Sequence, residues 1–258
     1  ETSRFAGPQH QIKSTIDNTV GKEGMDAFYD AWLANYCTKK DIDSMAAWGF
    51  NSIRLPMHYN LFTLSIEDES EPGKDTWINK GFVMVDSLLD WCADNNIYLI
   101  LDLHAAPGGQ GKDANISDYD ETKPSLWESE ENRRKTAALW KKLADRYKNE
   151  KWMGGYDIIN EPNWDFDSAG NKNGCDCTQN EMLWEFYALV INAIREVDQN
   201  HLVIIEGNCW GNNYNGMFPL WDLNMALSFH KYWSYNDQNS IQGILNLRGR
   251  IVTIIDLG

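Results

Sequence analysis

IYLILDLH, residues 97–104, is the stretch that decides the fold. Its apolar run is nearly continuous, as in a strand buried on both faces. Working upstream, apolar residues at helical spacing predict a helix over residues 79–95, with FVMVDSLLDWC inside it. NSIRLP at 51–56 predicts a short strand stopped by Pro56, and residues 26–48 predict a helix that ends at Gly49. Downstream, a helix over 128–148 precedes the strand GYDIINEP at 155–162, which Pro162 ends. A helix over 179–197 follows, then the strands LVIIEG at 202–207 and MALSFH at 225–230. A helix over 240–247 and IVTIID at 251–256, a candidate seventh barrel strand, complete the pattern. Strands that alternate with helices form βαβ units in a parallel α/β sheet with right-handed crossovers. An open doubly wound sheet and a (β/α)8 TIM barrel both fit. Neither GxGxxG nor GxxxxGK[ST] occurs, and GQGKD around Gly109 is not a phosphate loop, which weakens a nucleotide-binding reading.

Composition narrows the function. The 258 residues carry 23 Lys and Arg against 38 Asp and Glu, a net charge of −15, so no basic footprint exists for nucleic acid. No apolar run approaches the ~18 residues of a membrane span. The five cysteines, Cys37, Cys92, Cys175, Cys177 and Cys209, are odd in number and scattered. They do not read as a disulfide framework or a zinc site, and a Cys175–Cys177 bridge would be strained. Twelve Trp, eleven Tyr and nine Phe are many for this length; they imply either a Trp-rich core or stacking surfaces for ring-shaped ligands.

Polar and aromatic residues gather where strands end. Arg54 lies in the first strand; His104 ends the second; Asn160 and Glu161 end the third. Glu206 ends the fourth, followed by Trp210, and His230 ends the fifth, followed by Tyr232 and Trp233. In a barrel this is the face that carries active sites. The set RLP, LDLH, INEPN and SFHKYW resembles glycoside hydrolase family 5, the cellulase family of retaining β-glycosidases on (β/α)8 barrels, over residues of about 40–248.

The resemblance implies a single catalytic domain over 1–258 that hydrolyses β-1,4-glucan internally, without cofactor or metal. It implies Glu161 as general acid/base, one of two carboxyls roughly 5–5.5 Å apart. A carboxyl in a partly desolvated pocket keeps its proton more readily. It also implies Asn160 on the sugar 2-hydroxyl, Arg54 beside the nucleophile, and His104, His230 and Tyr232 as walls of the site. Trp164, Trp210 and Trp233, just beyond strand ends, are candidates for stacking on sugar rings. Glu206 follows the fifth barrel strand, whereas the family nucleophile follows the seventh, so it reads as a structural or subsite carboxylate. Mannan, xyloglucan and β-1,3-glucan are alternative substrates, and a polymeric substrate implies an extracellular or periplasmic protein, although no signal peptide is visible.

The sequence departs from the family at its ends. No apolar strand precedes the first helix, and no GE-S/T segment supplies the nucleophile. The weak candidate Asp256 in IVTIID is one methylene shorter than Glu, and a positioning error of about 1 Å can cost about 10²-fold. The expectation is therefore an incomplete barrel, with strand one absent and strands seven and eight missing or vestigial. Open barrel edges favour oligomerisation. Two further readings stand: a carbohydrate-binding relative that lost its chemistry, and a metal-dependent hydrolase using Asp102 and His104.

Overall fold

The structure, a computed structural model, describes residues 7–217 and 222–230. It begins with helices α1 (Gln9–Asn35) and α2 (Lys39–Ala47), so the single helix expected over 26–48 is two. The break falls where extended Thr38 starts a new helix, its N–H donating to Asp41 Oδ2 at 2.7 Å. The early start of α1 left no mark in the hydrophobic pattern because none of its residues is buried.

The chain then alternates as the sequence predicts. Strand β1 (Ser52–His58) and a 3-10 turn (Tyr59–Leu61) lead to α3 (Asn79–Asp94) and β2 (Tyr98–Ala105). A single turn α4 (Ala114–Ser117) and α5 (Glu130–Tyr147) precede β3 (Met153–Asp157). Helix α6 (Glu181–Arg195), β4 (Leu202–Glu206), the turn α7 (Asn208–Gly211) and β5 (Met225–Ser228) follow. Pro56 does not stop β1, which runs on to His58. β1 is an end strand of the described sheet, where a residue without an N–H is tolerated. The expected helix at 240–247 and the apolar 251–256 lie outside the described residues.

The five strands among the described residues are parallel and neighbour one another in chain order. This is the run of strands the sequence numbers two to six of a (β/α)8 barrel, and the described sheet is part of that barrel. Register places Pro56 beside Asp102, Asp102 beside Asp157, and Glu206 beside Ser228. Polar residues from successive strands therefore meet at one end of the sheet.

Helix α5 shows why these segments fold as they do. Ser129 caps its first turn by accepting from the Asn132 N–H, and Glu130 and Glu131 face the positive end of its dipole. Its inner face buries Leu139, Trp140 and Leu143 against the sheet, where the Trp140 indole N–H donates to the Ile158 carbonyl at 2.9 Å. Leu99, Leu101 and Leu103 of β2 are fully enclosed, each burial contributing about 1.5–3 kcal/mol. Leu101→Ala would open a cavity there at a cost of about 2–5 kcal/mol. Trp127, Trp140 and Trp184 are buried, so part of the tryptophan surplus is core.

Candidate active site

Arg54 is the hub of the site. Its position in β1 sends a buried guanidinium across the strand ends. Nε donates to Asp157 Oδ2 at 2.8 Å, and Nη2 donates to Asn160 Oδ1 and Glu206 Oε1, both at 3.0 Å. Nη1 lies 3.2 Å from Asp102 Oδ2, an ion pair without hydrogen-bond alignment. Burial pulls the guanidinium pKa down, but the charges of Asp102, Asp157 and Glu206 outweigh it and hold the cation above its usual range. Asp157 is held well above the usual carboxylate range, chiefly by burial, which Arg54 opposes only in part.

β2 contributes the next wall. His104 Nδ1 lies 2.8 Å from Asp102 Oδ2, which fixes the imidazole. Burial lowers the His104 pKa, but the Asp102 charge and hydrogen bond raise it further. Asp102 and His104 are thus engaged with each other beside a guanidinium, a poor setting for the metal-centre reading. Beyond β2, the buried Gln110 side chain donates to the carbonyls of His104 and Asn160, both at 2.8 Å, so it ties two walls of the site together.

The chain after β3 presents Asn160 and Glu161. Glu161 sits in the left-handed region, with φ 49°, before Pro162. That conformation is strained for a residue with a side chain. Its N–H donates to Glu206 Oε2 at 2.7 Å, which holds the turn. Glu161 is largely buried, and its Oε1 lies 2.6 Å from His230 Nδ1. The other ring nitrogen of His230 is 3.0 Å from Glu206 Oε1. Burial lowers the His230 pKa, but the Glu206 charge and the hydrogen bonds to Glu161 and Glu206 push it up to about 11.

The structure therefore gathers Arg54, His104, Asn160, Glu161 and His230 at one end of the sheet. Trp164 and Trp210 border it. The Trp164 backbone is pinned by the Asn208 side chain, which accepts from its N–H at 3.0 Å and donates to its carbonyl at 2.8 Å. The Lys112 ammonium stands 3.7 Å over the Trp164 ring centroid, so one indole face already carries a cation. Trp210 donates its backbone N–H to the Pro162 carbonyl at 3.1 Å, and both Cys209 and Trp210 have left-handed backbones. Tyr232, Trp233 and Asp256 lie outside the described residues.

Three features escaped the sequence reading. Cys175 and Cys209 form a disulfide, which corrects the expectation that the cysteines build no bridge. They lie 34 residues apart in sequence, so only the fold brings them together. Glu206 was expected only as a structural or subsite carboxylate; its contacts with Arg54, Glu161 and His230 are what the sequence did not show. Gln110 carried no motif at all. Asp165, Asp167 and Cys177 offer ligand atoms within 4.8 Å of one another. The two carboxylates already accept backbone N–H groups of Ala169, Gly170, Thr178 and Gln179, so they brace the loop.

A parallel βα sheet with an Asn-Glu pair, a hub arginine and histidines at its carboxyl ends defines the class of barrel glycoside hydrolases. The family described as "Cellulase (glycosyl hydrolase family 5)" matches residues 13–251, and the chain belongs to that family. It is 31% identical to a β-xylosidase of Phanerodontia chrysosporium over 88% of this chain and 44% of that protein. It is 29% identical to endoglucanase C of Acetivibrio thermocellus over 70% of this chain and 44% of the relative. Endoglucanase Cel5A of Thermotoga maritima shares the fold at TM-score 0.56 and 21% identity, over 76% of this chain and 53% of that one. The chain spans about half the length of the curated relatives it matches.

Proposed function

We propose that this chain carries the acid/base half of a retaining endo-β-1,4-glucanase site, with Glu161 as the proton donor. The observation that carries this reading is the Glu161–His230 contact of 2.6 Å beside Asn160. In the first half-reaction Glu161 protonates the leaving glycosidic oxygen, and in the second it takes a proton from the attacking water. Asn160 has its carbonyl oxygen held by Arg54, which leaves its amide to face the sugar 2-hydroxyl alongside His104. Arg54 Nη1 has no aligned acceptor among the described residues, which supports its serving a further carboxylate as nucleophile. Glu206 is not that nucleophile, because it is fully buried and the His230 ring stands between it and Glu161.

Endoglucanase C among the relatives supports β-1,4-glucan, and the β-xylosidase among them makes xylan-type substrates the comparison to run. The Cys175–Cys209 disulfide supports an extracellular or periplasmic protein, since such bonds persist in oxidising compartments. The test is hydrolysis of soluble cellulose derivatives, mannan, xyloglucan, xylan and β-1,3-glucan by the product of the full reading frame that contains this chain, and by the same protein with Glu161→Gln. Activity greatest on cellulose and lost in Glu161→Gln is expected; activity unchanged by that substitution overturns the acid/base role. A second reading, a carbohydrate-binding relative, rests on Trp210 at the site rim. Cello-oligosaccharide quenching of Trp fluorescence without turnover favours it, and turnover rules it out.

A further inference from the structure

Glu206 is a fully buried carboxylate that the acid/base chemistry does not use directly, yet three of its contacts converge on the groups that do. Oε2 accepts the Glu161 backbone N–H at 2.7 Å. Oε1 accepts from Arg54 Nη2 at 3.0 Å and lies 3.0 Å from His230 Nε2. Its own backbone is bracketed by the Tyr187 hydroxyl, which donates to the Glu206 carbonyl at 2.8 Å and accepts from its N–H at 3.1 Å. A side chain so fixed is itself a fixed point. Burying an anion in this way is costly unless its partners are charged and well placed, which points to a task beyond packing.

We propose that Glu206 is a positioning residue for the acid/base: it holds the Glu161 backbone in its left-handed turn and keeps His230 oriented and protonated with Nδ1–H toward the Glu161 carboxyl. This rests on the reading of Glu161 as the proton donor. With Glu206 at Nε2, the ring has one direction left in which to donate, and that direction is Glu161 Oε1. The imidazolium then stabilises the carboxylate that Glu161 becomes once its proton has gone to the leaving oxygen.

The groups around His230 allow this assignment. Glu161 from the β3 end and Glu206 from the β4 end face the two ring nitrogens directly. Behind them lie Arg54 of β1, Asp102 and His104 of β2, and Asp157 of β3. Arg54 is a cation, but it is committed to Asp157, Asn160 and Glu206. Burial alone would favour the neutral ring, and the adjacent carboxylates win.

The test needs no turnover, so it can fail independently of the proposed activity. Histidine side chains of the full chain are ¹⁵N-labelled, and the His230 signal is assigned by its loss in His230→Gln. In the wild type, His230 is expected to keep both ring protons at pH values where an ordinary histidine, near pH ~6.5, has lost one. Glu206→Gln should lower its titration midpoint by about 1–3 units, the effect of removing an opposite charge at this range. Glu206→Asp, which keeps the charge, should restore most of that shift. A wild-type His230 that titrates near the ordinary value overturns the proposal. So does a folded Glu206→Gln variant whose His230 midpoint is unmoved, because a merely structural role would give that result. If Glu206→Gln does not fold, the wild-type titration alone decides.

Discussion

Cys175 and Cys209 are covalently joined, with Cα atoms 4.8 Å apart, and bind the long loop after β3 to the turn that carries Trp210. The bond closes a loop of 34 residues in sequence separation. In the chain-entropy account a closure of this size stabilises by about 2–4 kcal/mol. It also holds Cys209 and Trp210, consecutive left-handed residues whose backbone is strained. The double variant Cys175→Ser/Cys209→Ser should therefore melt about 5–15 °C below the wild type. Scanning calorimetry with and without reductant checks this. A wild-type melting point that reductant leaves unchanged argues that the bridge carries none of the stability.

The hub arginine gives a second expectation. Arg54 is the buried cation among Asp102, Asp157 and Glu206. Arg54→Met should destabilise by about 3–5 kcal/mol, because it leaves buried carboxylates without their counter-ion. Arg54→Lys should recover little, since an ammonium is a point charge and cannot fork to Asp157, Asn160 and Glu206 together. Urea unfolding of both variants measures the difference. A lysine variant as stable as the wild type would show that charge alone, without the fork, holds the site.

The parts of this protein that sequence made legible are those whose signal is local. The apolar run of β2 announces burial on both faces, and the helices at 79–94, 130–147 and 181–195 fall within a few residues of their expected ends. The site residues His104, Asn160, Glu161 and His230 stand in short motifs at or just beyond strand ends, and Arg54 reaches them from within β1, so topology brings them together. What stayed hidden depends on partners far off in sequence. Glu206 acts through Arg54, 152 residues away, and through the Glu161 N–H, 45 away. Nothing in IIEG distinguishes it from an ordinary strand-end carboxylate. The early part of α1, residues 9–25, was illegible for the opposite reason: with no buried residue it has no face for periodicity to reveal. Trp164 was legible as a surface aromatic, but the cation over it arrives from the loop after β2.

That cation sets a third expectation. Lys112 Nζ lies 3.7 Å from the Trp164 centroid and 4.9 Å from that of Tyr119, whose own ring meets Trp164 edge to face at 5.7 Å. A cation over an indole contributes about 0.5–1 kcal/mol at a partly exposed position. A double-mutant cycle of Lys112→Met and Trp164→Leu should return a coupling energy of about that size. Chemical denaturation of the four proteins measures it. A coupling of zero would mean that the ammonium is hydrated away from the ring.

Ionisation makes the last expectation, a stability maximum at mildly acidic pH. On the acid side, Asp167 is held down at about 2, first by the Thr178 N–H and then by other donors of its loop. Glu69 also lies at about 2; burial raises it, but the Lys135 ammonium at 2.6 Å and the Thr76 donors win. Carboxyls with lowered folded pKa values contribute stability above the unfolded values near ~4, and lose it as pH falls toward about 2. On the alkaline side the sign reverses. His230 is raised to about 11, so the folded state holds a proton that the unfolded chain releases near ~6.5. Its contribution is complete below ~6.5 and is lost as pH climbs through about 11. Asp157, raised by burial, pushes in the same direction. Melting temperatures across a pH series should therefore peak at about pH 5–6.5 and fall on both sides. In Glu206→Gln the alkaline fall should begin at lower pH, because His230 has lost the charge that retains its proton. A melting temperature that rises from neutral pH into the alkaline range would contradict the protonated His230 on which this balance depends.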